Sequence, residues 1–149
     1  MKIVEIIKNI LEEMVSDDNC ELQSWQYNSK PDSNIKLDNK MPSPTCLFLQ
    51  ITDFELITNS MTVKEKAHLN ICFLEKESKI DSQGLEQDVI ITRMKDLAID
   101  FIQRLFNEKT LQILDKTLVL KSVFYRSDSN RTGVCLMVDV QKRQGDCIN

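Results

Sequence analysis

The chain has 149 residues, 42% hydrophobic and 28% charged, with a formal net charge of -4 at pH 7. That length and balance suit one domain over 1–149 with a single core, and they exclude a fibrous or wholly disordered class. Lysines and arginines are dispersed, and the only compact basic pair is Lys142 and Arg143, so the basic face of a nucleic-acid binder is missing.

The N-terminal run MKIVEIIKNILEEM repeats apolar residues at helical spacing (Ile3, Ile7, Ile10, Met14) opposite Lys2, Glu5, Asn9 and Glu12, which predicts an amphipathic helix. Its charges deny it the uninterrupted apolar core of a signal peptide, and no stretch approaches the ~20 apolar residues of a membrane span. The helix should stop in Ser16-Asp17-Asp18-Asn19, residues that prefer turns. Glu21 to Tyr27 reads as a first strand with Trp25 and Tyr27 on one face. Asn28 to Pro44 carries three prolines among polar residues, so a long exposed loop is expected, within which Ile35 and Leu37 alternate as in a short ribbon.

Thr45 to Thr52 alternates Leu47, Leu49 and Ile51 with Cys46, Phe48 and Gln50. Lys66 to Leu74 alternates Ala67, Leu69, Ile71 and Phe73 with His68, Asn70, Cys72 and Leu74. Both match the period of a strand. After a polar connection, Glu75 to Gly84, the stretch Leu85 to Asn107 presents Ile90, Met94, Leu97, Phe101 and Leu105 as one helical stripe. Ile99 and Phe106 lie at its edge and suggest a second contact with the first helix. Thr117 to Tyr125 and Val134 to Lys142, joined by Arg126 to Gly133, form a closing hairpin.

The economical architecture is α+β: a mainly antiparallel sheet of four to five strands with both helices packed on one face, in the order helix, three strands, long helix, two strands. The other sheet face is expected to carry Cys46, Phe48, Cys72, Leu74, Val119, Val123, Tyr125, Cys135 and Met137, too apolar for a face left in water. Either another copy or partner covers it, or the chain's own loops do. The interface set predicted is therefore Phe48, Leu74, Val119, Val123, Tyr125 and Met137, with Ile35 and Leu37 of the loop.

Chemistry is hard to place on these elements. Five cysteines (Cys20, Cys46, Cys72, Cys135, Cys147) are an odd count without a Cys-x-x-Cys pair, which predicts free thiols in a reducing cytoplasm rather than a disulfide framework or zinc site. His68, the single histidine, would lie ~13 Å from Cys72 along one strand, and no third group that could orient it is evident. Asp128, Asn130, Thr132, Gly133 and Asp139 match the spacing of a calcium loop, but between strands instead of helices. No phosphate-binding glycine run occurs. Neither a catalytic centre, a cofactor nor a metal is expected.

The order of elements, with Trp25 in the first strand, PSPTCLFLQI at Pro42 to Ile51, AHLNICFLEK, a long helix ending IQRLF and the hairpin LVLKSVFYRSD to GVCLMVDVQKR, resembles the tail terminator or tail completion proteins of long-tailed bacteriophages and prophages. The resemblance implies a non-enzymatic structural subunit that forms a ring with copies of itself, commonly a hexamer. That ring caps the tail tube and meets the head-completion proteins, without specific nucleic-acid recognition or a membrane. It would be assembled in the cytoplasm and reside in the virion tail. A subunit of a contractile injection or secretion machine, or a soluble enzyme or ligand-binding domain with a scattered site, are the alternatives.

Overall fold

A computed structural model describes residues 2–28, 42–77, 85–126 and 130–143. Among them the order is α1 (Ile3–Ser16), β1 (Ser24–Asn28), β2 (Thr45–Leu49), β3 (Phe54–Asn59), β4 (Thr62–Lys76), α2 (Leu85–Asn107), β5 (Leu111–Ile113), β6 (Val119–Arg126) and β7 (Asn130–Lys142). The α+β class is as expected, with seven strands in place of four or five. The two extra strands are β3, which hairpins onto a β4 longer than the apolar run alone suggested, and the three-residue β5.

Strands β4 and β7 form the spine, paired antiparallel from Lys66↔Gln141 to Lys76↔Arg131. On the side of β4 away from β7, β2 pairs with its C-terminal half and β3 with its N-terminal half; beyond β7 lie β6 and β5. β1 runs parallel to β2 at the edge, so the sheet is mixed. The calcium spacing dissolves in this layout, because Asn130 and Asp139 are nine positions apart on one extended strand, or ~30 Å at the strand rise.

One large core gathers Ile3, Ile7, Leu11 and Met14 of α1, Ile90, Met94, Phe101 and Leu105 of α2, and one side of the strands: Phe48, Ala67, Leu69, Ile71, Phe73, Val134, Leu136, Val138 and Val140. Trp25 and Tyr27 pack against it, as their shared face predicted. Phe73 meets Phe101 at a ring distance of 6.0 Å. Polar contacts fix the helices at its margin. Arg104 of α2 donates to Asp17, just past α1, at 2.7 Å and to Asp100 at 3.0 Å, while Trp25 Nε1 donates to Glu12 at 2.7 Å. The Asn19 backbone N–H and Arg104 together hold the Asp17 carboxyl below its usual range.

Gly133 shows how tightly the spine is drawn. It pairs with Leu74 on one side and Val123 on the other, and a Cβ there would collide with the backbone carbonyl of Phe73, coming within 2.8 Å of its carbon. Backbone cannot swing aside as a side chain can, so Gly133→Ala is expected to cost about 1–3 kcal/mol, the range of overpacking. A urea midpoint matching that of the unsubstituted chain would show that the strands do not approach so closely.

Candidate interaction surface

Register decides which strand residues share a face, and here it reverses one expectation. Leu47 is the partner of Cys72, while Cys46 and Phe48 are opposite Phe73 and Ile71. Phe48 therefore belongs to the main core, fully buried, with its ring edge-on to Tyr27 at 4.9 Å. Leu47 and Leu49 take the outer face. The alternation in Thr45 to Thr52 separates the two sets but carries no sign saying which points to the helices, since both are apolar.

On the outer face Leu47, Leu49, Cys72 and Leu74 form a second, smaller buried cluster, with Val123 and Cys135 packed against it. Leu74 is thus shielded within the single chain, and Val123 partly so, instead of standing free for a partner. Cys72 and Cys135 are cross-strand partners joined by a disulfide, contrary to the expectation of free thiols throughout. Pairing had no sequence signal, because adjacency came from register. Cys46 is buried and its thiol is pushed well up in pKa by burial, and Cys20 is raised for the same reason.

Val119 and Met137 are the part of the expected interface that is open. They are direct partners on the outer face, 52% and 43% exposed. Tyr125 sits on β6 opposite Arg131; its side chain, like Ile35 and Leu37, lies outside the described residues.

Another exposed apolar feature was not anticipated from the sequence. β3 and the first residues of β4 form a two-stranded arm closed by Ser60 and Met61, with Asn59 opposite Thr62. Among the described residues β4 has no partner on the β7 side beyond Lys66, so there the arm extends past the rest of the sheet. Phe54, Leu56 and Val63 fall on the helix side of this ribbon, by register with Ala67, Glu65 and Thr58. Their exposures are 49%, 68% and 61%, and Met61 at the tip reaches 92%. The alternation Phe54-Glu55-Leu56 was visible in the sequence, but Ser60-Met61 lacks the Asn-Gly type of signal that marks a tight hairpin.

An apolar concavity lies elsewhere. Ile99 and Phe106 do not turn to α1 as expected. They are exposed and, with Ala98, Ile102, Leu118 and Leu120, line an apolar groove of about 360 Å³ between α2 and the β6 side of the sheet. Gln103 is the polar residue in its wall.

His68 is better furnished than its isolation in the sequence suggested. Its partner across the spine is Asp139, whose carboxylate hydrogen-bonds Nδ1, and Nε2 lies 3.5 Å from Glu55. The Asp139 hydrogen bond raises the imidazole pKa against a smaller desolvation effect. With both ring nitrogens engaged by carboxylates and Cys72 in a disulfide, this is an ion-pair arrangement. Among the described residues no cluster of three or more His, Cys, Asp or Glu is placed to hold a metal, and no helix is long and apolar enough to cross a membrane. No protein-family model and no curated protein matches the chain.

The disulfide closes a segment of 63 residues, so its removal should release the unfolded chain by up to about 4 kcal/mol on the loop-entropy model. Reduction, or the Cys72→Ala/Cys135→Ala pair, should lower the melting temperature by several degrees without changing the far-ultraviolet dichroism. Peptide mapping under oxidising, non-reducing conditions should recover residues 72 and 135 linked; a map with both thiols free would refute the pairing.

Proposed function

We propose that this chain is a structural ring subunit of a phage-type tail, capping the tail tube and presenting a surface to head-completion proteins. The observation that carries it is the placement of two unmatched apolar surfaces on opposite edges of one sheet. The arm stands on the β3 side of β4, while the groove lies on the β6 side of β7. Three strand spacings, ~14 Å, separate those edges, with β5 between them at the arm's end of β7. One copy's arm cannot enter its own groove.

Two different patches that complement each other between copies make a head-to-tail contact, which closes into a ring when the rotation per subunit divides a full turn. Apolar residues on an arm with little core of its own gain about 25 cal/mol for each Å² withdrawn from water, and association costs offset much of that. A closed ring engages every subunit twice, which favours rings over isolated pairs. The exposed Val119–Met137 pair on the outer face is left for the tail tube or the head-side partner. The resemblance in element order supports the tail assignment, and the sheet geometry supports the head-to-tail contact.

Complementation between two defective copies tests the contact. Leu56→Glu on the arm and Ile99→Glu in the groove change exposed positions, so each should leave stability within about 0.5 kcal/mol and stay folded by circular dichroism. Each alone should fail to form rings at concentrations where the unsubstituted chain forms them, judged by light scattering and electron microscopy. Mixed together, they retain one intact arm and one intact groove, and should give a one-to-one complex that goes no further. If the unsubstituted chain never associates, even at high concentration with a tail tube present, the ring reading falls.

A further inference from the structure

At the root of the arm two cations and two carboxylates close a ring of contacts across three strands. Lys66 Nζ lies 3.4 Å from Glu55 Oε2 and 3.5 Å from Asp139 Oδ2. His68 Nε2 lies 3.5 Å from Glu55 Oε1, and its Nδ1 bonds Asp139 Oδ1. Each cationic side chain addresses both carboxylates, and each of the four carboxylate oxygens takes one contact. Glu55 belongs to β3, Asp139 to β7, and Lys66 and His68 to β4. The position is the fulcrum of the arm, because Lys66 is the last residue of β4 with a partner on β7.

We propose that this quartet is a proton-operated hinge for the arm. With His68 protonated the four charges cancel, and Glu55 of β3 is held by Lys66 and His68 of β4, which in turn hold Asp139 of β7. With His68 neutral one negative charge is left over, the attraction between Glu55 and His68 is lost, and Lys66 alone holds Glu55 by charge, beside the backbone ladder of β3 and β4. The arm then separates more readily from the sheet. This inference gives a regulation to the contact surface proposed above and rests on that reading for its purpose, though its physics belongs to the single chain.

The charges around His68 favour the protonated ring. Glu55 faces it from β3 and Asp139 from β7, and Asp53, whose carbonyl accepts the His68 N–H at 3.2 Å, lines the same small cavity of about 230 Å³. Asp115 stands behind Asp139, accepting its backbone N–H at 2.8 Å. Lys66 is the opposing cation on β4. Gln50, Thr52, Leu69, Asn70 and Met137 complete the wall without charge. The Asp139 hydrogen bond, more than desolvation opposes it, sets the folded imidazole pKa above its ordinary value. A group raised in this way contributes its full stabilisation below the unfolded value of about 6.5 and loses it as pH climbs through the higher folded value. The His68 and Glu55 side chains are 35% and 56% exposed, so solvent screening keeps the effect modest.

Hydrogen exchange on dilute, unassembled protein at low salt tests the hinge. Protection of the arm amides at Ile57 and Lys64, partners in the β3–β4 ladder, corrected for the intrinsic pH dependence of exchange, should fall about two- to fivefold between about pH 6 and pH 8.5. Spine amides such as Ile71 and Leu136 should not follow. The fall should vanish in His68→Gln and in Glu55→Gln, while in Glu55→Gln the imidazole still titrates above its ordinary value through Asp139. The His68 ring resonances of the unsubstituted chain give a second measurement that needs no variant, and their midpoint should coincide with the arm's loss of protection. Arm protection that is flat with pH, an equal fall in His68→Gln, or a His68 midpoint at or below the ordinary value would each overturn the hinge. Because the protein is monomeric in these measurements, their failure leaves the ring reading standing, and failure to form rings leaves the hinge readable.

Discussion

The antiparallel ladder between β4 and β7 is the contact on which the rest of the molecule depends. Its eleven residue pairs, from Lys66↔Gln141 to Lys76↔Arg131, link segments far apart in the chain, so the whole intervening chain must be gathered before the ladder pays back its closure entropy. Both flanks of the sheet are then built by strands that touch only one member of the pair: β2 and β3 on β4, β5 and β6 on β7. α2 covers the spine from one face through Phe101 against Phe73, and α1 completes the same core.

A single register brings chemically unlike things to their places. It sets His68 opposite Asp139, Cys72 opposite Cys135 and Asn70 opposite Met137, all on the outer face. A slip by one residue would exchange the two faces, burying Lys66 and His68 under the helices and expelling Ile71 and Phe73 into water. The cost of that exchange locks the register. It also means that the ion-pair quartet, the disulfide and the exposed Met137 are side effects of hydrophobic selection on the other face. Close approach at Gly133 belongs to the same constraint, since a side chain there would strike the backbone of β4.

The outer face is divided by what covers it. Near β2 the cluster of Leu47, Leu49, Cys72 and Leu74 is closed to solvent, and towards β6 Val119 and Met137 remain open. The arm and the α2 groove add exposed apolar surface on the helix side at opposite edges. A lone two-stranded ribbon has little independent stability, so an arm bearing Phe54, Leu56, Val63 and Met61 in water is a feature whose energetic justification lies in what it meets. The head-to-tail contact proposed above would engage both surfaces at once.

Local pattern by itself determined the elements whose chemistry is one-sided. α1, with its end at Ser16, and the stripe of α2 over Leu85–Asn107 were legible because a helix with one apolar face has a period no other element shares. β2 and β4 were recognisable by alternation, and β6 and β7 as a closing hairpin, as was the α+β class. Only the tertiary structure decided matters that depend on partners remote in sequence. Phe48 and Leu47 are both apolar, so their strand pattern is symmetric and pairing with Ile71 and Cys72 alone chose which went inward. Cys72 and Cys135 are 63 residues apart, and no spacing rule announces a bond made by register. The same holds for His68, whose partners Asp139 and Glu55 arrive from two other strands. Sequence records what each residue would accept as a neighbour, and the long-range ladder selects the neighbour.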